Sequence, residues 1–159
     1  MGTRIEYLDD EAAPAANSLV PAASSVVVNK DGAILLQRRA DNAYWSLPGG
    51  AMEPGEDIAT CCVRETREET GIEVEIVRLI GIYSNPRHVV VYSDGEVRQE
   101  FSVCFSCRPV AGVLRPSTES TAVRYVDPGL LAAFDIHPSI RRRIADALAS
   151  TEHSPPVIA

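Results

Sequence analysis

Apolar residues along this chain recur with two periods, and their alternation sets out the architecture. Short runs rich in β-branched residues read as strands. The first covers residues 24–29 around Val26-Val27-Val28, and Lys30-Asp31-Gly32 marks a hairpin turn into a second over 33–38. A polar loop over 40–44 follows, and Trp45-Ser46-Leu47 leads into the turn Pro48-Gly49-Gly50. Helical spacing then takes over from about residue 57 to residue 70. Strand patterning returns over 74–83, is broken at Pro86, and resumes over 89–92 and 96–107 around Ser93-Asp94-Gly95, a second hairpin signal. After a loop over 108–120 come a short strand over 121–126, a short helix near 128–134 and a terminal helix over 139–148 behind Pro138. Strands on both sides of a central helix predict an α/β fold with a mixed sheet between helices. Residues 1–21, with Pro14 and little period, read as an arm or an edge strand, residues 22–150 as the domain and 151–159 as a tail. Internal repeats and low-complexity tracts are absent.

Composition narrows the function. The 159 residues suit one domain with a real core, and a net charge of −7 argues against a nucleic-acid polymer as partner. It does not argue against a nucleotide, whose charge a metal neutralises. Lys30 is the only lysine among many arginines, alanines and valines, which points to a GC-rich bacterial genome. No stretch is apolar for long enough to cross a bilayer, and no basic segment precedes an apolar one at the N-terminus, so the expected compartment is the cytoplasm with no membrane partner. Four cysteines agree with a reduced location. Cys61 and Cys62 read as packing residues. Cys104-x2-Cys107 has half a zinc spacing, but an odd offset in a strand sends the two side chains to opposite faces, so core cysteines are expected.

The chemistry concentrates in residues 50–72. Glu65, Glu68 and Glu69 stand at i, i+3 and i+4, so all three project from one helical face. Like charges at that spacing repel, and a divalent cation reverses the sign of that cost. Asp57 fits an N-cap and Gly71 a C′ position. Arg64, four residues before Glu68, is placed to hold a carboxylate in one rotamer. Gly49 and Gly50 let the backbone pass close to a ligand, with a carbonyl available to a metal and Gly50 against the substrate.

At these residues the chain resembles the Nudix hydrolase family. Gly50, Glu56, Arg64, Glu65, Glu68, Glu69, Gly71 and Ile72 match the family signature in register. Thr66 departs from it, standing where the family has a bulky aliphatic. That position faces the core, and its hydroxyl can bond back to the carbonyl of Cys62. The resemblance implies an α/β/α sandwich over about residues 22–148. It implies Mg²⁺ or Mn²⁺ on Glu65 and Glu69, with Glu68 close by and the Gly49 carbonyl as a further ligand. Glu56 either ligates a second metal or braces Arg64. The general base is Glu68 or Glu119, six residues before Tyr125, with Glu100 a weaker rival in a strand.

The implied reaction is hydrolysis of a nucleoside diphosphate derivative. Pro86, fourteen residues past Ile72, favours ADP-ribose or a nucleotide sugar, or else only breaks a strand. Arg38 or Arg39 binds a phosphate, and Arg87 and His88 contact phosphate or ribose or stand exposed. Tyr44 and Trp45 either stack on a base or, for Trp45 above all, pack the core. The alternatives are a house-cleaning nucleoside triphosphate pyrophosphohydrolase of the MutT type and a nucleotide-sensing domain without turnover. A homodimer suits the family, and the N-terminal arm offers a segment to exchange.

Overall fold

The computed structural model describes residues 3–159. Ten strands, two α-helices and a 3₁₀ turn follow in the order β1 (Arg4–Leu8), β2 (Ser18–Val27), β3 (Ile34–Arg39), β4 (Trp45–Ser46), β5 (Gly49–Ala51), α1 (Ile58–Thr70), β6 (Ile72–Tyr83), β7 (His88–Tyr92), β8 (Val97–Gly112), β9 (Ser120–Val126), the 3₁₀ turn (Pro128–Ala133), α2 (Pro138–Ala149) and β10 (Val157–Ile158). The larger sheet is mixed. β8 is long enough to pair with β7, with β2 in parallel and with β6, while β1 adds to β7, β5 to β2 and β10 to β6. β3, flanked by β4 and β9, forms a second, three-stranded sheet.

Two apolar layers explain why Val26-Val27 and Ile34-Leu35-Leu36 are unbroken runs: these strands are buried on both faces. Ala23, Val27 and Leu35 pack with Cys61 and Cys62 of α1, whereas Val26, Ile34 and Leu36 pack with Ile144 and Ala147 of α2. Cys104 joins the α2 layer and Cys107 the α1 layer, the opposite faces that their spacing predicts. Helix α1 has the expected ends. The Thr60 N–H donates to Asp57 Oδ1 at 2.7 Å, and Gly71 takes φ 79° with its N–H on the Arg67 carbonyl.

Thr66 is fully buried. Its hydroxyl lies 2.7 Å from the Cys62 carbonyl and 2.7 Å from Ser25 Oγ on β2. With the Thr66 proton on that carbonyl, Ser25 is the donor of the second bond. A hydroxyl in place of an aliphatic side chain is thus matched by a hydroxyl on the facing strand.

Four expectations change. The Lys30-Asp31-Gly32 turn forms, with Gly32 at φ 81° and the Asn29 side chain accepting from the Asp31 and Ala33 N–H groups. It does not make a hairpin, because β2 and β3 part into different sheets after one bridge between Val28 and Ile34. The boundary expected at residue 22 falls inside β2, while β1 meets the edge-strand reading of residues 1–21, of which Met1 and Gly2 lie outside the described residues. Residues 151–159 do not run free: β10 pairs in parallel with β6, and the Ala159 N–H donates to the Ile82 carbonyl at 2.9 Å. The loop expected from residue 108 begins only after β8 ends at Gly112. Among the described residues no helix is long and apolar enough to cross a membrane.

Edge strand β1 is pinned by Glu6, whose Oε1 lies 2.5 Å from His88 Nε2 and whose Oε2 accepts from Arg4 at 3.3 Å. Burial alone would raise this carboxyl, but the His88 bond and the charges of Arg4 and His137 hold it at about 2. The stabilisation is therefore present above the ordinary carboxyl value of 4.5 and is lost as pH falls through 2. It amounts to at most about 3 kcal/mol by the linkage conversion. Denaturant melts between pH 5 and about 2 should show this loss in the wild type and a flatter profile in Glu6→Gln. Thr66→Val, which strands the Ser25 hydroxyl in the core, should cost about 1–3 kcal/mol in urea denaturation, with Ser25→Ala in the same chain restoring part of it.

Candidate active site

The cleft is built on α1 and the glycine bend beside it. Glu69 is 5% exposed and sits under that bend. The Gly49 N–H donates to its Oε2 at 2.9 Å, and the Gln37 side-chain amide donates to the same oxygen at 2.5 Å. A Cβ on Gly49 would stand 2.3 Å from the Ala23 carbonyl oxygen, and one on Gly50 would stand 2.6 Å from the Glu65 carboxylate. Gly49 therefore requires glycine because backbone fills the space, whereas a side chain at Gly50 would have to push the Glu65 carboxylate aside.

Arg64 joins most of the helix face. It forks onto Glu56 through Nε at 2.9 Å and Nη2 at 2.7 Å. It also donates through Nη1 to Glu65 at 2.7 Å and Glu68 at 3.2 Å, and through Nη2 to the Ala51 carbonyl at 3.1 Å. Of the two readings of Glu56, the geometry displays the brace: hydrogen bonds from Arg64 hold its carboxyl at about 2, and the same bonds push Arg64 up.

The carboxylates deeper in the cleft behave the opposite way. Burial pushes Glu65 up, with Arg64 pulling against it and the charges of Glu68 and Glu119 adding to it. Burial pushes Glu69 up to about 8, with Glu65 and Glu119 adding and the bonds from Gly49 and Gln37 opposing. A buried and a half-buried carboxylate that resist ionisation side by side are a donor set short of positive charge.

Glu119 borders this same cleft on the loop before β9, and the Ala40 N–H donates to its backbone carbonyl at 2.9 Å. Arg39 stands on the cleft wall with its guanidinium on Asp41 at 2.9 and 2.6 Å. Arg98 adds a second cation, over the Tyr92 ring at 4.9 Å. The cleft holds about 820 Å³ and opens through Arg4, Arg39, Tyr92 and Arg98 into a deeper recess of about 110 Å³. Glu6, His88, His137, Glu100 and Arg143 line that recess.

Four residues expected at the site stand elsewhere. Arg38 is exposed, donates to the Ala43 carbonyl at 3.3 Å and does not line the cleft. Arg87 is exposed on Asp9, in a separate groove with Pro86. His88 turns inward instead and is 5% exposed. Glu100 lines the recess, 3.5 Å from Arg143, rather than the box. Trp45 packs edge-on to Phe134 at 5.2 Å while also lining the recess, so it serves the core. Sequence reasoning missed Gln37 and Arg143. A polar residue inside the run Leu35-Leu36-Gln37 is the signal that marks Gln37; nothing in Arg141-Arg142-Arg143 marks which arginine is buried.

Gly50→Ala should displace the Glu65 carboxylate and weaken divalent-ion binding by at least about tenfold, read as free Mn²⁺ by electron paramagnetic resonance.

A sequence model described as the NUDIX domain matches residues 18–147. A "MutT-like protein" of Streptomyces ambofaciens is 44% identical over 105 residues, covering 66% of this chain and 62% of that protein. The chain thus spans less than two thirds of that relative's length. A "Putative 8-oxo-dGTP diphosphatase" of Bacillus subtilis is 32% identical over 121 residues, covering 76% of this chain and 74% of that protein. An "ADP-ribose pyrophosphatase" of Methanocaldococcus jannaschii is 31% identical over 64% of this chain and 58% of its own. Among solved structures, a NUDIX hydrolase from Nitrosomonas europaea superposes with TM-score 0.71 at 23% identity, over 88% of this chain and 76% of that one, a likeness of fold.

Proposed function

The chain belongs to the NUDIX family, and on that premise we propose that it hydrolyses the pyrophosphate linkage of a nucleoside diphosphate derivative. ADP-ribose or another nucleotide sugar is the favoured class. The observation that carries this reading is one cleft lined by Glu65, Glu68, Glu69 and Glu119 with Arg39 on its wall. So many carboxylates repel a phosphate unless a cation stands between them. The donors fit a hard divalent ion, Mg²⁺ or Mn²⁺: Glu65, Glu69 and the Gly49 carbonyl offer oxygen only, with Glu68 adjacent. Such an ion, when bound, neutralises phosphate oxygens and lowers the pKa of water.

The chain's own residues then divide the work. Gln37 and the Gly49 N–H hold one oxygen of Glu69. Arg64, braced by Glu56, fixes Glu65 and Glu68. Glu68, the most exposed of the three at 53%, takes the proton from the attacking water, and Glu119 is the second candidate for that role. Arg39 has Nη1 left to offer a phosphate while Asp41 occupies Nε and Nη2. Pro86, which favours ADP-ribose from its place after the box, stands in the Arg87 groove outside the cleft. Support for a group beyond the diphosphate therefore comes from the polar recess alone. A triphosphate pyrophosphohydrolase is the second reading, favoured by the 44% identity to the MutT-like protein.

A hydrolysis screen with Mg²⁺ and Mn²⁺ should set ADP-ribose and nucleotide sugars against dinucleoside polyphosphates and triphosphates. Glu68→Gln should lower kcat by roughly 10²–10⁴-fold on whichever substrate is cleaved, and chelation should abolish turnover. Turnover within a few-fold of wild type in Glu68→Gln removes its role as base, and metal-independent hydrolysis removes the mechanism. Failure on every substrate favours a sensing domain.

A further inference from the structure

Away from the box, three metal-competent atoms converge from three separate elements. Glu6 comes from β1, His88 from the start of β7 and His137 from the N-cap of α2. Glu6 Oε1 lies 2.5 Å from His88 Nε2 and 3.5 Å from His137 Nδ1, and one ligand atom from each residue lies within 4.8 Å of the others. We propose that Glu6, His88 and His137 form a second cation site, distinct from the box and suited to a borderline divalent ion of the zinc class.

Donor chemistry separates the two sites. The box offers oxygen alone, which suits hard ions that keep water. The trio offers two imidazole nitrogens and one carboxylate oxygen, and imidazole favours the zinc class over magnesium. Two histidines and a carboxylate, with a fourth position left for an exchangeable ligand, are a set that zinc takes. Bonds of about 2.1 Å in a tetrahedron place ligand atoms about 3.4 Å apart. The Glu6–His137 separation of 3.5 Å already meets that spacing, and the Glu6–His88 contact has to open by less than about 1 Å.

The surroundings leave the trio ready to bind. The second oxygen of Glu6 accepts from Arg4, which orients the carboxylate. Tyr44 stands edge-on to His137 at 6.1 Å, and the His88 and His137 rings lie nearly parallel with centroids 5.8 Å apart. The ion displaces the direct Glu6–His88 contact, and it competes for His137 Nδ1, which accepts from the Ser139 N–H at 3.3 Å and lies 2.8 Å from its hydroxyl. A metal–imidazole bond replaces a long capping bond. The consequence is a clamp, since the trio joins β1, β7 and α2 at one point.

The test uses the full chain with excess Mg²⁺ and Co²⁺ as the spectroscopic stand-in for zinc. Visible ligand-field bands should grow and saturate near about one equivalent, and Zn²⁺ should bleach them. The bands should persist in Glu68→Gln, and Co²⁺ affinity should fall by at least about tenfold in His88→Gln and in His137→Gln. Zn²⁺ should raise Tm of the wild type and leave that of His137→Gln unmoved. Absence of bands in the wild type overturns the proposal, and so does their loss in Glu68→Gln or their survival in both histidine variants. The wild-type titration decides the matter even if a histidine variant does not fold. It is independent of turnover, so a cleft that hydrolyses nothing leaves the site standing.

Discussion

Like charge on one face of α1 is the constraint around which this molecule is arranged. Three carboxylates within five residues repel one another, and of these Glu69 is buried and Glu65 half-buried. Arg64 supplies the one cation that touches the face directly, and it is itself held by the bidentate fork from Glu56. Removing either partner of such a pair leaves an uncompensated charge, which costs more than the pair contributes. The neighbouring chain follows from this arrangement. A side chain at Gly50 would displace the Glu65 carboxylate from its place, and the Gln37 amide supplies the hydrogen bond that buried Glu69 needs. The charge that Arg64 does not cancel is where the proposed divalent ion would sit.

The long strand β8 then connects this chemistry to the rest. It carries β2, and through β2 the glycine bend, on one part of its length. It carries β7, and through β7 the edge strand β1, on another. Hence the acidic cleft and the histidine-lined recess are two regions of one sheet rather than separate modules. The oxygen-only set lies on the α1 side. The nitrogen-bearing set lies where α2 begins.

Local chemistry was readable from sequence, and long-range pairing was not. Asp57 and Gly71 bound α1 because caps act within one turn. The Thr66 bond to the Cys62 carbonyl follows from helical geometry alone, whereas its partner Ser25 lies 41 positions away and leaves no trace in the pattern. Cys104 and Cys107 part to opposite layers because strand alternation is local. The separation of β2 from β3 was hidden, since a good turn at Gly32 says nothing about which sheet each strand joins. β10 was hidden for a related reason, and β1 was left open between an arm and an edge strand: edge strands bury little, so their apolar pattern is weak. At the site, the carboxylates of the box were legible by spacing. Arg143 and His88 were not, because burial of a charged or titratable group depends on which distant strand covers it.

The backbone bond from Ala40 to Glu119 has a mechanical meaning. It continues the β3–β9 ladder past the irregularity at Arg38 and Arg39, joining the end of β3 and the Asp41 loop to the loop that carries Glu119. Swinging either loop alone costs that bond, about 1 kcal/mol. Any breathing of this rim therefore carries a cationic and an anionic group together, as one jaw hinged on the small sheet. The opposite jaw is the rigid helix, so opening changes the span across the cleft while the spacing along each jaw stays constant.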